Sequence, residues 1–184
     1  MAVKRISDPM RDEELLVALA NTGHDETDEL ADGSSVKLWW QRLDSSDPQV
    51  PTGAGTADDL RRLRAARDLV RAVALRNNGV AAEAEIGALD GTPLQFDWTD
   101  GPVLRAPGAA SLPQYVVGAA VLALVRASAR PGWSRVKACR GPDCGWVFVD
   151  RSRNGSRRWC QMSECGNRAK AAAFRARARQ SARR

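Results

Sequence analysis

Four cysteines constrain this chain more than any other feature. All lie within 27 residues, spaced Cys139-x4-Cys144-x15-Cys160-x4-Cys165. Two short pairs set about 15–20 residues apart let two turns deliver four thiolates to one tetrahedral zinc ion. Free core thiols and two disulfides are the competing readings. The stretch Met1–Pro9 has no apolar run of secretory type, which predicts a reducing, cytoplasmic setting that disfavours disulfides. Gly141-Pro142 inside the first pair and Gly145 after it supply turn chemistry. The expected ligands are therefore Cys139, Cys144, Cys160 and Cys165, around one structural Zn2+. Metal binding supplies folding free energy in such modules, so chelation is expected to unfold residues 135–181 and spare the rest.

The charge divides at nearly the same place. Residues 1–129 carry 13 Lys and Arg against 19 Asp and Glu, a net −6, whereas residues 130–184 carry 15 against 3, a net +12. A basic block of that size is the footprint of a module that meets a polyanion, most often nucleic acid. With 43% apolar and 27% charged residues, the chain is globular in composition. Its longest apolar run, Val116–Val125, is far shorter than the roughly 20 residues that span a bilayer, so no membrane role is expected. Charge, cysteine content and helix character all change within Arg130–Ser134. That segment is the expected boundary between an N-terminal domain (1–129) and a C-terminal module (130–184).

Periodicity predicts an α+β fold, mainly helical in the first block. Leu15, Leu16, Leu19 and Ala20 recur at helical spacing between Arg11 and Asn21. His24–Glu29 is acidic and polar, a loop; His24 is expected to be solvated and Asn21 to cap a helix end. A short helix carries Trp39 and Trp40, expected in the core and at an interface. Thr56-Ala-Asp-Asp is a strong helix start, and Asn77-Asn78-Gly79 stops that helix. A further short helix is expected over Ala81–Leu89. Leu94, Phe96 and Trp98 alternate with polar residues, turn at Asp100-Gly101, and return through Val103-Leu104 as a β-hairpin. Ser111–Ala129 is a second long helix, broken by Pro131-Gly132. In the basic block, Trp146–Val149 is expected to pair across an Asn154-Gly155 turn with Arg157–Trp159, followed by a helix to about Ser181. At least two of Trp146, Phe148 and Trp159 are expected to form its small core.

Knuckle, hairpin and helix, with ligands from the knuckle and the helix start, resemble a treble-clef finger. Cys160-Gln-Met-Ser-Glu-Cys165-Gly166-Asn167-Arg168-Ala-Lys, preceded by Asp143–Trp159, resembles the CGNR zinc finger, whose naming tetrapeptide stands at Cys165–Arg168. Proteins of that family usually carry an N-terminal ABATE domain with a Leu-Asn-Thr-like motif. Leu19-Ala-Asn21-Thr22-Gly23 is similar to it, with one Ala inserted. The resemblance is tight over 139–177 and loose before it. It implies a bacterial transcription regulator, sometimes described as stress-induced.

The tail after Cys165 interleaves Arg and Lys with Ala. Arg168, Arg175 and Arg179 fall on one helical face, Lys170 and Arg177 on a neighbouring strip, and Phe174 is the one large apolar residue available to pin the helix down. Arg151, Arg153, Arg157 and Arg158 extend the basic surface across the hairpin. All nine cations are expected DNA contacts, since Arg and Lys neutralise phosphates and the Arg fork matches guanine edges. RNA or an acidic protein is the alternative partner, and a solvated, frayed tail is the bland reading. A small-molecule effector at the N-terminal domain is possible in principle, with no residues assigned to it. Asp25, Glu26, Asp28 and Glu29 could act as a decoy polyanion for the basic helix, or only keep the chain soluble. No nucleophile–base pair, phosphate loop or metal-hydrolase motif occurs, and a single His limits acid–base chemistry near neutral pH. No catalytic residue is expected, although an enzyme with its site in the first block is the remaining rival.

Overall fold

A computed structural model of the chain describes residues 9–24, 28–43, 50–98, 103–106 and 108–181. Three helices build the body. In α1 (Pro9–Ala20) the periodic residues Leu16, Leu19 and Ala20 are all buried. The long α3 (Ala57–Asn77) starts at a capping box, in which Thr56 accepts from the Asp59 amide while Asp59 accepts from that of Thr56. In α4 (Leu112–Ser128) the Ser111 side chain caps the N-terminus and Pro113 occupies the first turn. The shorter α2 (Gly33–Leu43) lays Val36 and Trp39 against them. Trp39 is buried, and the half-buried Trp40 meets Tyr115 edge-on with ring centroids 5.7 Å apart. Asp12, also buried, accepts from Arg126 and Arg130 and so ties the start of α1 to the end of α4.

Two short antiparallel sheets complete the α+β architecture. β1 (Gln95–Asp97) pairs with β2 (Val103–Arg105) in the register Phe96↔Leu104, as alternation predicts. Its Asp100-Gly101 turn lies outside the described residues. Between α3 and β1 the expected Ala81–Leu89 helix reduces to a single 3-10 turn, Gly87–Leu89. The segment has no apolar stripe to bury: Ile86, its one large residue before the turn, is 54% exposed, and a helix this short is not stable without packing.

The second sheet differs from its expectation. β4 (Val147–Val149) pairs with β3 (Val136–Ala138), not with Arg157–Trp159. The groups that a ladder would need on Arg157 and Arg158 are engaged elsewhere. The Arg157 amide donates to Asp150, and the Arg158 carbonyl accepts from the Arg140 amide and the Asn78 side chain. The cysteine turn is therefore the connection within the β3–β4 hairpin itself.

Apolar packing joins the residues on either side of the 130–134 segment. One cluster joins Leu16 and Ala20 of α1, Val70 and Ala74 of α3, and Ala123 and Ala127 of α4 to Val136, Ala138 and Val147 of the second sheet. The final helix, α5 (Asn167–Ser181), buries no residue. Phe174 does not pin it: its side chain is 67% exposed, because no other element offers that helix an apolar surface. No helix among the described residues is long and apolar enough to cross a membrane.

Candidate metal centre and basic surface

The four sulfurs converge as the spacing predicts. All four Sγ atoms lie within 4.8 Å of one another, with Cys144–Cys160 at 3.7 Å and Cys160–Cys165 at 3.8 Å. A tetrahedral zinc with Zn–S bonds of about 2.3 Å holds its sulfurs about 3.8 Å apart, so the donor set fits that ion. Two local structures deliver the ligands. Cys139 directly follows β3, and Cys144 closes a turn through its amide on the Gly141 carbonyl, 3.1 Å. Asp143 and Gly145 flank that ligand with φ of +61°, the left-handed conformation that a knuckle needs. Gly141 faces the sulfurs so closely that an added Cβ would stand 3.2 Å from both Cys144 Cβ and Cys165 Sγ. Cys165 comes from the π-type turn Met162–Gly166 that opens α5, and Cys160 lies two residues before that turn.

Each member of Cys165-Gly166-Asn167-Arg168 has a task at this centre. Cys165 contributes its sulfur. Gly166 lets the turn close, since a Cβ there would collide with Met162 Sδ and press on the Trp159 ring. Asn167 Nδ2 donates to the Ser163 carbonyl at 2.9 Å, and Arg168 donates to Cys165 Sγ at 3.1 Å. Burial pushes the Cys165 thiol up, but the Arg168 bond and those of the neighbouring thiols outweigh it and favour the thiolate. Burial, reinforced by adjacent sulfurs, moves Cys144 and Cys160 upward. A bound dication would reverse that preference by supplying the charge that four thiolates need. Residues 135–178 match the CGNR zinc finger family. No curated protein matches the chain. The four cysteines of the CGNR finger are thus the ligands of one structural zinc, which would hold the knuckle and the helix start together.

Around the zinc site lies a supporting set that spacing alone does not disclose. Asp150 is wholly buried and accepts from Lys137 Nζ at 2.8 Å, from the amide and hydroxyl of Ser152, and from the Arg157 amide. Burial raises its pKa, yet these donors win and hold the carboxyl well below the usual range. Lys137 also donates to the carbonyls of Gly155 and Arg157. Three asparagines then fasten the hairpin to the body. Asn21 donates to the Val147 carbonyl at 2.9 Å and accepts from its amide at 2.8 Å. Asn77 donates to the carbonyls of Trp133 and Val136, and Asn78 to those of Ala138 and Arg158. Asn21 is thus a docking residue rather than only a helix-end cap. His24 is exposed, and its ring stands edge-on to Trp146 at 5.0 Å rather than in solvent alone.

The nine candidate DNA contacts fall into two groups. Arg157 lies 5.1 Å over the Phe148 ring and donates to the carbonyls of Trp159 and Cys160, and Arg168 is bonded to a ligand sulfur. Arg151, Arg153, Arg158, Lys170, Arg175, Arg177 and Arg179 are exposed, and their side chains make no hydrogen bond or ion pair among the described residues. Of the four candidate decoy acids, the two described ones have partners in the body. Asp28 accepts from the Leu30 amide and pairs with Arg67, Glu29 pairs with Arg42, and Asp25 and Glu26 lie outside the described residues. In the body an open cavity of about 350 Å³ is lined by Asp58, Asp59, Arg62, Thr92, Gln114 and the start of α4. Its carboxylates serve the fold: Asp59 receives Thr56, Ser111 and Gln114, and Asp58 pairs with Arg61.

Proposed function

We propose that the chain binds duplex DNA through its CGNR finger and acts as a transcription regulator rather than as an enzyme. One observation carries the reading. α5 exposes five cations and no carboxylate, and buries nothing. Such a helix is poorly stabilised by itself: Arg175 and Arg179 stand at i,i+4 with like charge, and 15 residues without packing are marginal in water. A phosphate backbone relieves the repulsion and gives the exposed side chains their partner. The helical body serves sensing or association, the role implied by the ABATE-like Leu19–Gly23 stretch. The cavity beside α3 is the place in it where a small effector would fit. A cytoplasmic setting belongs to the same reading.

The test is a salt series of duplex affinity. Seven unengaged cations set an upper slope of log affinity against log salt of about −6, at roughly −0.9 per neutralised phosphate. A slope between about −4 and −6 on duplex supports the reading. Tighter binding to single strands or RNA at matched salt transfers the function to RNA, and no binding to either leaves an acidic protein as the partner.

A further inference from the structure

We infer that zinc is a clasp for the basic helix, and that the sheet of the finger keeps its fold without the metal. The inference is drawn from how the two cysteine pairs are supported.

The first pair sits on a hairpin that the helical body already holds. Val136, Ala138 and Val147 belong to the same buried cluster as α1, α3 and α4. Their outward backbone groups are met by Asn21, Asn77 and Asn78, and Arg140 donates to the Asn78 carbonyl. The buried Lys137–Asp150 pair ties β3 to the loop that follows β4. None of these contacts involves a sulfur.

The second pair has no such foundation. Cys160 and Cys165 lie in a small cluster whose buried members are only Cys139, Phe148 and Cys165, with Cys144, Trp159 and Cys160 at its margin. Among the described residues, the side-chain bonds of α5 are two, from Asn167 to Ser163 and from Arg168 to Cys165. Both end within the turn that carries the ligands. Across the gap between Cys144 and Cys160, four thiols offer each other weak bonds, whereas a zinc ion offers four strong ones. With the metal, α5 starts from a fixed point and projects its cations in one direction. Without it, the ordering cost of residues 160–181 has nothing comparable to oppose it.

The experiment is hydrogen–deuterium exchange on the full chain under a thiol reductant, zinc-loaded and after chelation, with a metallochromic dye confirming release of one zinc. Chelation should speed exchange at least ten-fold over residues 160–172. Amides of 136–138 and 147–149 should keep the protection of α1 and α3. Loss of the two strands in step with α5, or unchanged exchange over 160–172 after the zinc has left, overturns the clasp. The Asn77→Ala chain, whose lost bonds are to Trp133 and Val136, supplies the converse, with faster exchange in β3 while the loaded 160–172 segment is unaffected; faster exchange in both segments also overturns it. The inference stands on the metal centre and not on the proposed partner. If the loaded chain fails to bind duplex DNA, the functional reading falls while the exchange result still decides the clasp.

Discussion

Residues 135–158 and 159–181 share four cysteines and little else. The first stretch is built like the rest of the body, with apolar strands buried on helices, a buried ion pair, and asparagines that satisfy backbone groups. The second has a turn, a half-buried tryptophan and a helix that covers nothing. A zinc module is commonly treated as one folding unit, because a small domain lacks enough core to stand alone. Here the unit is divided, and its larger neighbour supplies the core for one half only. On the clasp proposal, chelation releases residues 160–181 where the sequence alone leads one to expect residues 135–181 to unfold as a block.

The largest effect should come from Cys165→Ser. Structural zinc contributes on the order of 10 kcal/mol to small fingers, and this residue is a ligand two residues before the start of α5. The variant should lose stoichiometric zinc by metal analysis, while the thermal transition of the helical body shifts by only a few degrees. A collapse of that transition would show that the two halves are not separable.

Next in size is Asp150→Asn, which leaves Lys137 buried without its counter-charge and should cost about 3–5 kcal/mol in urea unfolding. This change strikes the body-supported half. The pH dependence has a definite sign. The folded pKa is depressed, so the contribution is complete above the unfolded value of about 4 and fades as pH falls below it toward the folded value. Wild-type stability should drop through that acid range, and the variant should show a shallower drop.

Asn21→Ala removes two bonds to one residue of β4 and should cost about 1–3 kcal/mol in the same measurement, with zinc content unchanged. A change in zinc content would mean that the docking contact and the metal support each other. The smallest effect on stability belongs to Arg175→Ala with Arg179→Ala. If both touch phosphate, the salt slope should flatten by about two with no change in unfolding. Arg157→Ala should do the reverse, because its guanidinium is occupied by Phe148 and two carbonyls.

Local signals were legible in the sequence, and distant ones were not. The short gaps within each cysteine pair, the Thr56 cap and the helix start at Ser111 each act within a few residues, so the pattern states the outcome. The sequence does not disclose the pairing of β3 with β4, because Asn154-Gly155 favours a turn and Arg157–Trp159 has the pattern of its return strand. What decides the matter is Asp150, whose carboxylate gathers the loop toward Lys137. In the sequence Asn77 and Asn78 signal a helix end, which they are, but their side chains act on residues 56 to 80 positions away. Asn21 reaches 126 positions along the chain. Nothing in a stop signal tells which distant backbone it will face. Phe174 failed for the opposite reason: an apolar residue announces a wish to be buried, and no surface meets it.

A two-stranded sheet has no interior strand, so both sides of β3–β4 offer a template to any stray peptide. Asn21 fills one side with an amide that copies the donor and acceptor of a peptide bond, and Asn77 and Asn78 occupy carbonyls along the other. These side chains therefore cover sheet edges that would otherwise be open to pairing with another chain. Replacing them with apolar residues of similar size would leave the hairpin buried on one face yet open to foreign strands along its rims.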